Sequence, residues 1–110
     1  MKGKDWSVIR VLSAISNPIR LLILETLVMH GKMRYTDIMR RLRLDPYKDA
    51  GRFAYHLNTL VRSGLVTTNS DEYVPTELGL RVYGDVMRLE EILREDQRRW
   101  RRPVRFAHII

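Results

Sequence analysis

The chain is 110 residues long, 45% apolar and 30% charged, a composition that predicts one folded domain. It contains no cysteine, which excludes disulfides, Cys-ligated zinc and thiol catalysis. Because the chain has no continuous apolar run of about 18 residues and no signal-peptide segment, we expect no membrane span and a cytoplasmic location. The formal net charge of +7, carried by 16 Arg and 4 Lys, favours a polyanionic partner, although such a surface could also serve solubility alone.

The first 31 residues predict two helices. Residues 6–15 carry apolar side chains at helical spacing. Asn17 and Pro18 mark the start of a second helix, because Asn caps helices and Pro fits the first helical position. The nearly continuous apolar run 19–29 predicts that this helix is the buried centre of the domain, and Gly31 is expected to end it.

A short extended segment at 33–35 precedes two further predicted helices. Thr36 is expected to cap the first of them, and Asp45-Pro46 is expected to end it. The second spans about residues 48–63 and is followed by Gly64. Its inward stripe consists of Ala50, Phe53, Ala54, Leu57, Leu60 and Val61.

A hairpin and a long helix complete the chain. Residues 65–68 and 73–75 have β-type composition, with a turn-forming segment at 69–72 between them. Because the hairpin tip contains acidic residues and no Arg or Lys, we expect it to close the hairpin rather than to bind a minor groove. Thr76 is predicted to cap a final helix that extends to about Trp100.

The final helix carries an apolar seam with 4-3-4 spacing from Val82 to Leu93, which resembles a coiled coil. Because so long a helix outruns the core of a small domain, we expect a homodimer; packing of the seam on its own domain is the alternative. The residues expected at the dimer interface are Trp6, Val82, Val86, Leu89, Leu93 and Trp100.

This order of elements predicts a winged helix-turn-helix, a mainly α fold with a small β-hairpin (α+β). We place the winged helix-turn-helix domain at 1–80, the dimerisation helix at 76–100 and a basic tail at 101–110. The tail combines Arg with aromatic residues, and three interpretations of it stay open: contact with a DNA backbone, with an anionic membrane surface, or with a partner protein.

Three motifs occur in order between residues 13 and 79. They are SNPIRLLIL at 16–24, YHLNTLVRSGLV at 55–66 and YVPTELG at 73–79. Together they resemble the winged helix-turn-helix regulators of the ArsR-like superfamily, particularly its plain archaeal transcription factors. The resemblance implies a double-stranded DNA partner, transcription regulation as a homodimer, and a recognition helix at 48–63 that enters the major groove.

The metal-sensing members of that superfamily carry paired Cys in the helix before the recognition helix, or Asp and His pairs on the last helix. Here residues 36–40 are TDIMR, and the last helix has acidic residues but no His. We therefore predict no metal site and no cofactor, and a small-molecule effector stays unknown. With no P-loop, Gly-rich phosphate motif, Cys or paired His, we also predict that the chain is not an enzyme.

The predicted recognition helix has a polar face opposite Leu57, given a rotation of about 100° per residue. Arg suits guanine, whereas Tyr and Thr suit phosphates or thymine methyl groups. His56 lies at the edge of this face, where it would either contact DNA or form a hydrogen bond within the fold. The expected DNA-binding residues are Arg40 and Arg41 on the preceding helix, for phosphates, and Lys48, Arg52, Tyr55, His56, Thr59 and Arg62.

Two other functions remain as alternatives to a sequence-specific regulator. The winged helix could dock another protein, with its basic surface incidental. It could also bind RNA or chromatin without sequence preference, in a non-specific or architectural role.

Overall fold

The computed structural model describes residues 6–100. The elements in chain order are α1 (Ser7–Ile15), α2 (Pro18–His30), β1 (Met33–Arg34), α3 (Tyr35–Arg41), α4 (Ala50–Arg62), β2 (Val66–Asn69), β3 (Glu72–Pro75) and α5 (Glu77–Trp100). The strands form one antiparallel sheet in the order β1-β3-β2. This architecture confirms the predicted mainly α fold with a small hairpin. The predicted basic tail, 101–110, lies outside the described residues.

α2 is the centre of the domain, as its apolar sequence predicts. The side-chain oxygen of Asn17 accepts hydrogen bonds from two N–H groups of the first turn at 2.9 and 3.1 Å, so this residue caps the helix. Ile23, Leu24 and Leu27 are fully buried. Gly31 follows the last turn with a φ of +89°, which glycine adopts without the steric penalty of other residues.

α4 packs its predicted stripe into the same core. Phe53, Leu57 and Leu60 are buried, and the ring of Tyr35 meets Phe53 edge-on with centroids 4.8 Å apart. The buried apolar residues of the described chain are Ala14, Ile23, Leu24, Leu27, Ile38, Met39, Phe53, Leu57, Leu60, Leu65 and Val66.

α3 begins differently from the sequence prediction. The predicted cap Thr36 is wrong: the helix starts at Tyr35, and Arg34 precedes it without a side-chain cap. Arg34 pairs with Glu72 of β3, which keeps its backbone extended at φ −79° and ψ 158°. Sheet pairing therefore supplies the extended residue that a helix start requires.

The end of α3 is also earlier than predicted. The helix ends at Arg41 and not at Asp45-Pro46, because Arg43 adopts a left-handed φ of +58°. The N–H of Leu44 bonds to the Met39 carbonyl at 2.9 Å, which completes a Schellman-type C-cap. A non-glycine residue in this conformation costs about 1–2 kcal/mol.

The hairpin forms the wing. Pairing of Asn69 with Glu72 leaves Ser70 and Asp71 as its two loop residues, and Ser70 adopts a φ of +65°. β2 begins at Val66, one residue later than predicted, because Leu65 still belongs to the cap of α4: its N–H bonds to the Leu60 carbonyl at 3.1 Å.

α5 is anchored to the wing at its first turn. Thr76 Oγ1 accepts from the N–H of Gly79 at 2.9 Å and donates to the carbonyl of Gly64 at 2.6 Å, which confirms the predicted cap. A Cβ on Gly79 would collide with the Leu65 carbonyl oxygen. The close approach of α5 to β2 therefore requires glycine at this position.

A second anchor joins α5 to α2. The Tyr83 hydroxyl donates to Glu25 Oε2 at 2.6 Å. Burial, the hydrogen bond to Glu25 and the charges of Glu25 and Glu90 raise the pKa of Tyr83 to about 12. Beyond this anchor α5 leaves the body of the domain, and residues 87–100 are all exposed.

Candidate nucleic-acid interface

The segment between α3 and α4 contains its own helical turn. Asp45 Oδ1 accepts from the N–H groups of Tyr47 and Lys48, both at 2.8 Å, and the N–H of Asp49 bonds to the Asp45 carbonyl at 3.0 Å. The N–H groups of Lys48 and Tyr47 lower the pKa of the Asp45 carboxyl. Lys48 therefore lies in this turn, and the predicted start of the recognition helix at 48 is corrected to Ala50.

Four predicted DNA-binding residues follow one another along one side of α4 at 3-4-3 spacing. Arg52 and Tyr55 are exposed, Tyr55 by 58%. The hydroxyl of Thr59 donates to the Tyr55 carbonyl at 2.9 Å, and Arg62 reaches Thr59 Oγ1 at 3.5 Å. Because the opposite side of α4 is buried in the core, the helix presents this stripe to solvent on a rigid support.

His56 is placed inside the fold. The residue is 8% exposed, and its Nδ1 lies 2.9 Å from Nη1 of Arg20. Because a guanidinium only donates hydrogen bonds, Nδ1 must accept and the imidazole is neutral. Burial, followed by the charges of Arg20 and Arg52, lowers the pKa of His56. The structure thus shows the internal hydrogen bond that was one of the two alternatives for His56, and its DNA contact stays a prediction.

Arg20 was missed by sequence reasoning as a site-forming residue. Besides His56, its guanidinium binds the carbonyls of Ala14 at 2.6 Å and Ser13 at 3.2 Å. It therefore joins the end of α1 to α4 from its own position on α2. The arginine in the SNPIRLLIL motif was the available signal, but the sequence does not show what it contacts.

Ion pairs divide the basic residues of this region into two groups. Arg40 pairs with Asp37 and Arg52 with Asp49, each at 2.9 Å. The other cations of α3, the connecting turn and α4 form no ion pair within residues 6–100. These unpaired residues are Arg41, Arg43, Lys48 and Arg62.

The acidic tip of the wing is neutralised by two cations, one in β1 and one directly before it. Arg34 lies 3.4 Å from Asp71, and Lys32 lies 3.8 Å from Glu72. Sequence reasoning missed these two cations, because their proximity depends on the antiparallel pairing of β1 with β3. The wing surface is therefore charge-balanced rather than acidic.

An apolar groove of about 520 Å³ runs between α1 and α5. Of the predicted interface residues, the structure brings Val82, Val86 and Leu89 to this groove; Trp6, Leu93 and Trp100 lie outside its lining. Leu12 and Leu89 are about half exposed although both are apolar, at 54% and 53%. The residues lining this α1–α5 groove are Ser7, Val8, Arg10, Val11, Leu12, Ile15, Ser63, Leu78, Val82, Asp85, Val86 and Leu89.

Within 6–100, no group of three or more His, Cys, Asp or Glu side chains could hold a metal ion. No single helix in that range is long and apolar enough to cross a membrane. Of the described helices, only α1 and α2 taken together have the length and composition of a membrane span, and the two helices are bent by 92° relative to each other.

Comparisons with known proteins agree with this fold. A family profile described as "Domain of unknown function (DUF7347)" matches residues 9–86. No curated protein matches the sequence. Reduced HlyU from Vibrio cholerae N16961 is similar in structure, with a TM-score of 0.63 and 25% identity over 76% of this chain and 87% of that chain. A second HlyU structure gives a TM-score of 0.62 and 22% identity over 81% and 97%. These similarities confirm the winged helix-turn-helix.

Proposed function

This chain belongs to the family described as "Domain of unknown function (DUF7347)", and we propose that it is a transcriptional regulator that binds a specific double-stranded DNA sequence as a homodimer. The observation that carries the proposal is the solvent-facing stripe of Arg52, Tyr55 and Arg62 on α4, beside the unpaired cations of the preceding turn. A winged-helix fold holds this helix by its buried face, which is what insertion into a groove requires.

Sequence recognition would depend on Arg52 and Tyr55. The major groove, about 12 Å wide, admits an α-helix, and Arg can bind the O6 and N7 atoms of guanine with two hydrogen bonds. Arg52, whose side chain is 55% exposed, must first leave Asp49, whose side chain is 23% exposed. Because exposed ion pairs contribute only about 0–1 kcal/mol, this exchange is a small cost against a bidentate contact with a base.

Phosphate contacts would come from the unpaired cations. Arg41, Arg43 and Lys48 lie at the end of α3 and in the turn before α4, the part of a helix-turn-helix that crosses the DNA backbone. They hold no ion pair within the described range, so binding a phosphate would break none. Such contacts set orientation and salt dependence without selecting a sequence.

Dimerisation would use the α1–α5 groove and the exposed seam beyond it. The half-exposed leucines of both helices are the kind of apolar surface that a monomeric domain seldom leaves open. A two-fold dimer would place two copies of α4 on half-sites about one helical turn apart. Its DNA site would then be a pseudo-palindrome.

Selection of binding sites from random duplex DNA at two salt concentrations tests this function. We expect a two-fold symmetric motif. Salt-sensitive binding without a motif would indicate an architectural protein, whereas no binding at either salt would favour docking of another protein.

Variants separate the two kinds of contact. We expect Arg52→Ala to reduce discrimination between the selected site and mismatched sites by about 1–3 kcal/mol. Arg41→Ala should weaken binding to all duplexes alike. It should also lower the salt slope, which is the steepness with which log affinity falls with log salt concentration, by about 0.9. Arg81→Ala, in an exposed pair with Glu77 on α5, is the control and should change neither. Equal losses on selected and random DNA for Arg52→Ala and Arg41→Ala would contradict the assignment.

A further inference from the structure

A second concave surface lies between α1 and α4 and adjoins the apolar groove. It is a cleft of about 340 Å³. Its lining is polar and basic rather than apolar, and consists of Arg10, Ser13, Ala14, Thr59, Arg62 and Ser63. Arg10 and Ser63 also border the α1–α5 groove, so the cleft connects the proposed dimer surface to the recognition helix.

The charge of this cleft is uncompensated. No acidic side chain among residues 6–100 lines it. Neither Arg10 nor Arg62 forms an ion pair with any part of the described chain, although seven other arginines there do. Two guanidinium groups without an ion pair therefore border one concave surface, and their N–H groups are donors that a phosphate can use. Of the hydroxyl groups in the lining, those of Thr59 and Ser63 already donate to the carbonyls of Tyr55 and Leu60.

The backbone at the end of α1 would normally oppose an anion here, because the last carbonyls of a helix carry partial negative charge. In this structure the guanidinium of Arg20 covers the carbonyls of Ser13 and Ala14. The negative end of α1 is thus neutralised, and a third positive charge lies behind Arg10 and Arg62. The remaining contact of Arg20 is with neutral His56, which adds no negative charge.

We propose that the α1–α4 cleft binds a phosphate group, held by Arg10 and Arg62 together. This inference rests on the proposed function for its source, which we assign to the DNA backbone, since Arg62 ends the recognition helix and would follow it to the edge of the groove. Arg10 would then bring α1, a helix outside the helix-turn-helix, into contact with DNA.

Two measurements on the full chain test the site. The first is binding to a fixed duplex over a range of salt concentrations, for Arg10→Ala, Arg62→Ala and the double variant. We expect each single change to weaken binding about tenfold regardless of sequence. The double variant should lower the salt slope by about 0.9, the value for one phosphate, and should lose less affinity than the product of the single losses.

The second measurement titrates inorganic phosphate into the free protein and follows the amide NMR signals of Ser13, Thr59 and Ser63. Chloride at equal ionic strength is the control. Shifts that saturate in the wild type and vanish in both variants establish the site without DNA. Because Arg10 borders the α1–α5 groove, sedimentation must show that Arg10→Ala leaves the oligomeric state unchanged.

The outcomes discriminate among sources and between hypotheses. If the two variants lose DNA affinity in a coupled way, the phosphate that the cleft binds belongs to the DNA backbone, whether or not inorganic phosphate shifts the NMR signals. If phosphate shifts the NMR signals but neither variant affects DNA binding, the site exists and binds a free phosphate compound. If neither variant changes DNA affinity, salt slope or the phosphate titration, the proposal is overturned while the regulator function stands. If the wild type binds neither DNA nor phosphate, both fail.

Discussion

Two glycines of α5 differ sharply in what surrounds them. A Cβ on Gly79 would collide with the carbonyl oxygen of Leu65, where α5 passes the start of β2. A Cβ on Gly84 would meet nothing within 4 Å. We expect Gly79→Ala to lower the free energy of unfolding by about 1–3 kcal/mol, because backbone must shift to admit the methyl group.

Gly84→Ala is the matched control on the same helix. Alanine in an open helix interior should raise the free energy of unfolding by about 0.5–1 kcal/mol, because glycine loses more chain entropy on folding. Urea denaturation at one protein concentration measures both changes, since oligomerisation would make stability concentration-dependent. Equal effects of the two substitutions would show that the contact of α5 with Leu65 is looser than described.

The sequence predicted several arginines of the candidate site but not which of them are paired. Arg52 and Arg62 were both predicted to bind DNA, yet the structure pairs Arg52 with Asp49, whereas Arg62 forms no ion pair in the described chain. Whether each of these two arginines forms an ion pair depends on side-chain geometry across one helical turn. Residue type and periodicity predict a face, whereas partner choice on that face requires coordinates.

At the scale of elements, Arg20 and His56 join three helices. Arg20 of α2 binds two carbonyls of α1 and the imidazole of α4. Protonation of His56 Nδ1 would remove its hydrogen bond to Arg20 and place two cations together. The position of α4 relative to α1 therefore depends on a neutral imidazole.

This dependence predicts how stability changes with pH. The folded state lowers the pKa of His56 from its ordinary value of 6.5, so the unfolded chain binds more protons between the two values. The stabilisation is fully present above pH 6.5 and is lost as pH falls from 6.5 toward the folded-state pKa. Thermal unfolding between about pH 7.5 and 5.5 should show this loss in the wild type and a flatter profile in His56→Gln.

The control for that profile is His30→Gln, at the exposed end of α2. It should keep the pH dependence of the wild type. If His56→Gln also keeps it, the coupling through Arg20 does not contribute to stability in this range.

The element boundaries show where local sequence rules succeed. Asn17 and Thr76 cap helices as predicted, because capping depends on residues within one turn. The bounds of α3 were wrong at both ends. Its start depends on pairing of Arg34 with a strand almost 40 positions later, and its end on a left-handed Arg43, a conformation that sequence rules assign to glycine.

The order of elements was predictable because each helix has either an apolar stripe at helical spacing or, in α2, a nearly continuous apolar run, and because the segments between them contain turn-forming residues. The short extended segment at 33–35 was predicted, but its pairing was not: β1 has only two residues, Met33 and Arg34, and forms a third strand by pairing with β3. The α1–α4 cleft likewise could not be predicted, since it unites residues about 50 positions apart.

The exposed apolar groove predicts the oligomeric state of the protein. Leu89, 53% exposed, lines the α1–α5 groove, whereas Leu80, 48% exposed on the same helix, lies outside its lining. We expect the wild type to sediment at about twice 13.1 kDa and Leu89→Glu to sediment as the monomer, because a buried carboxylate at a two-fold interface would face its own copy. Leu80→Glu should remain dimeric, and circular dichroism should show equal helix content in both variants. A wild type of 13.1 kDa at micromolar concentration would exclude the homodimer, and a dimer that survives Leu89→Glu would place its interface outside the groove.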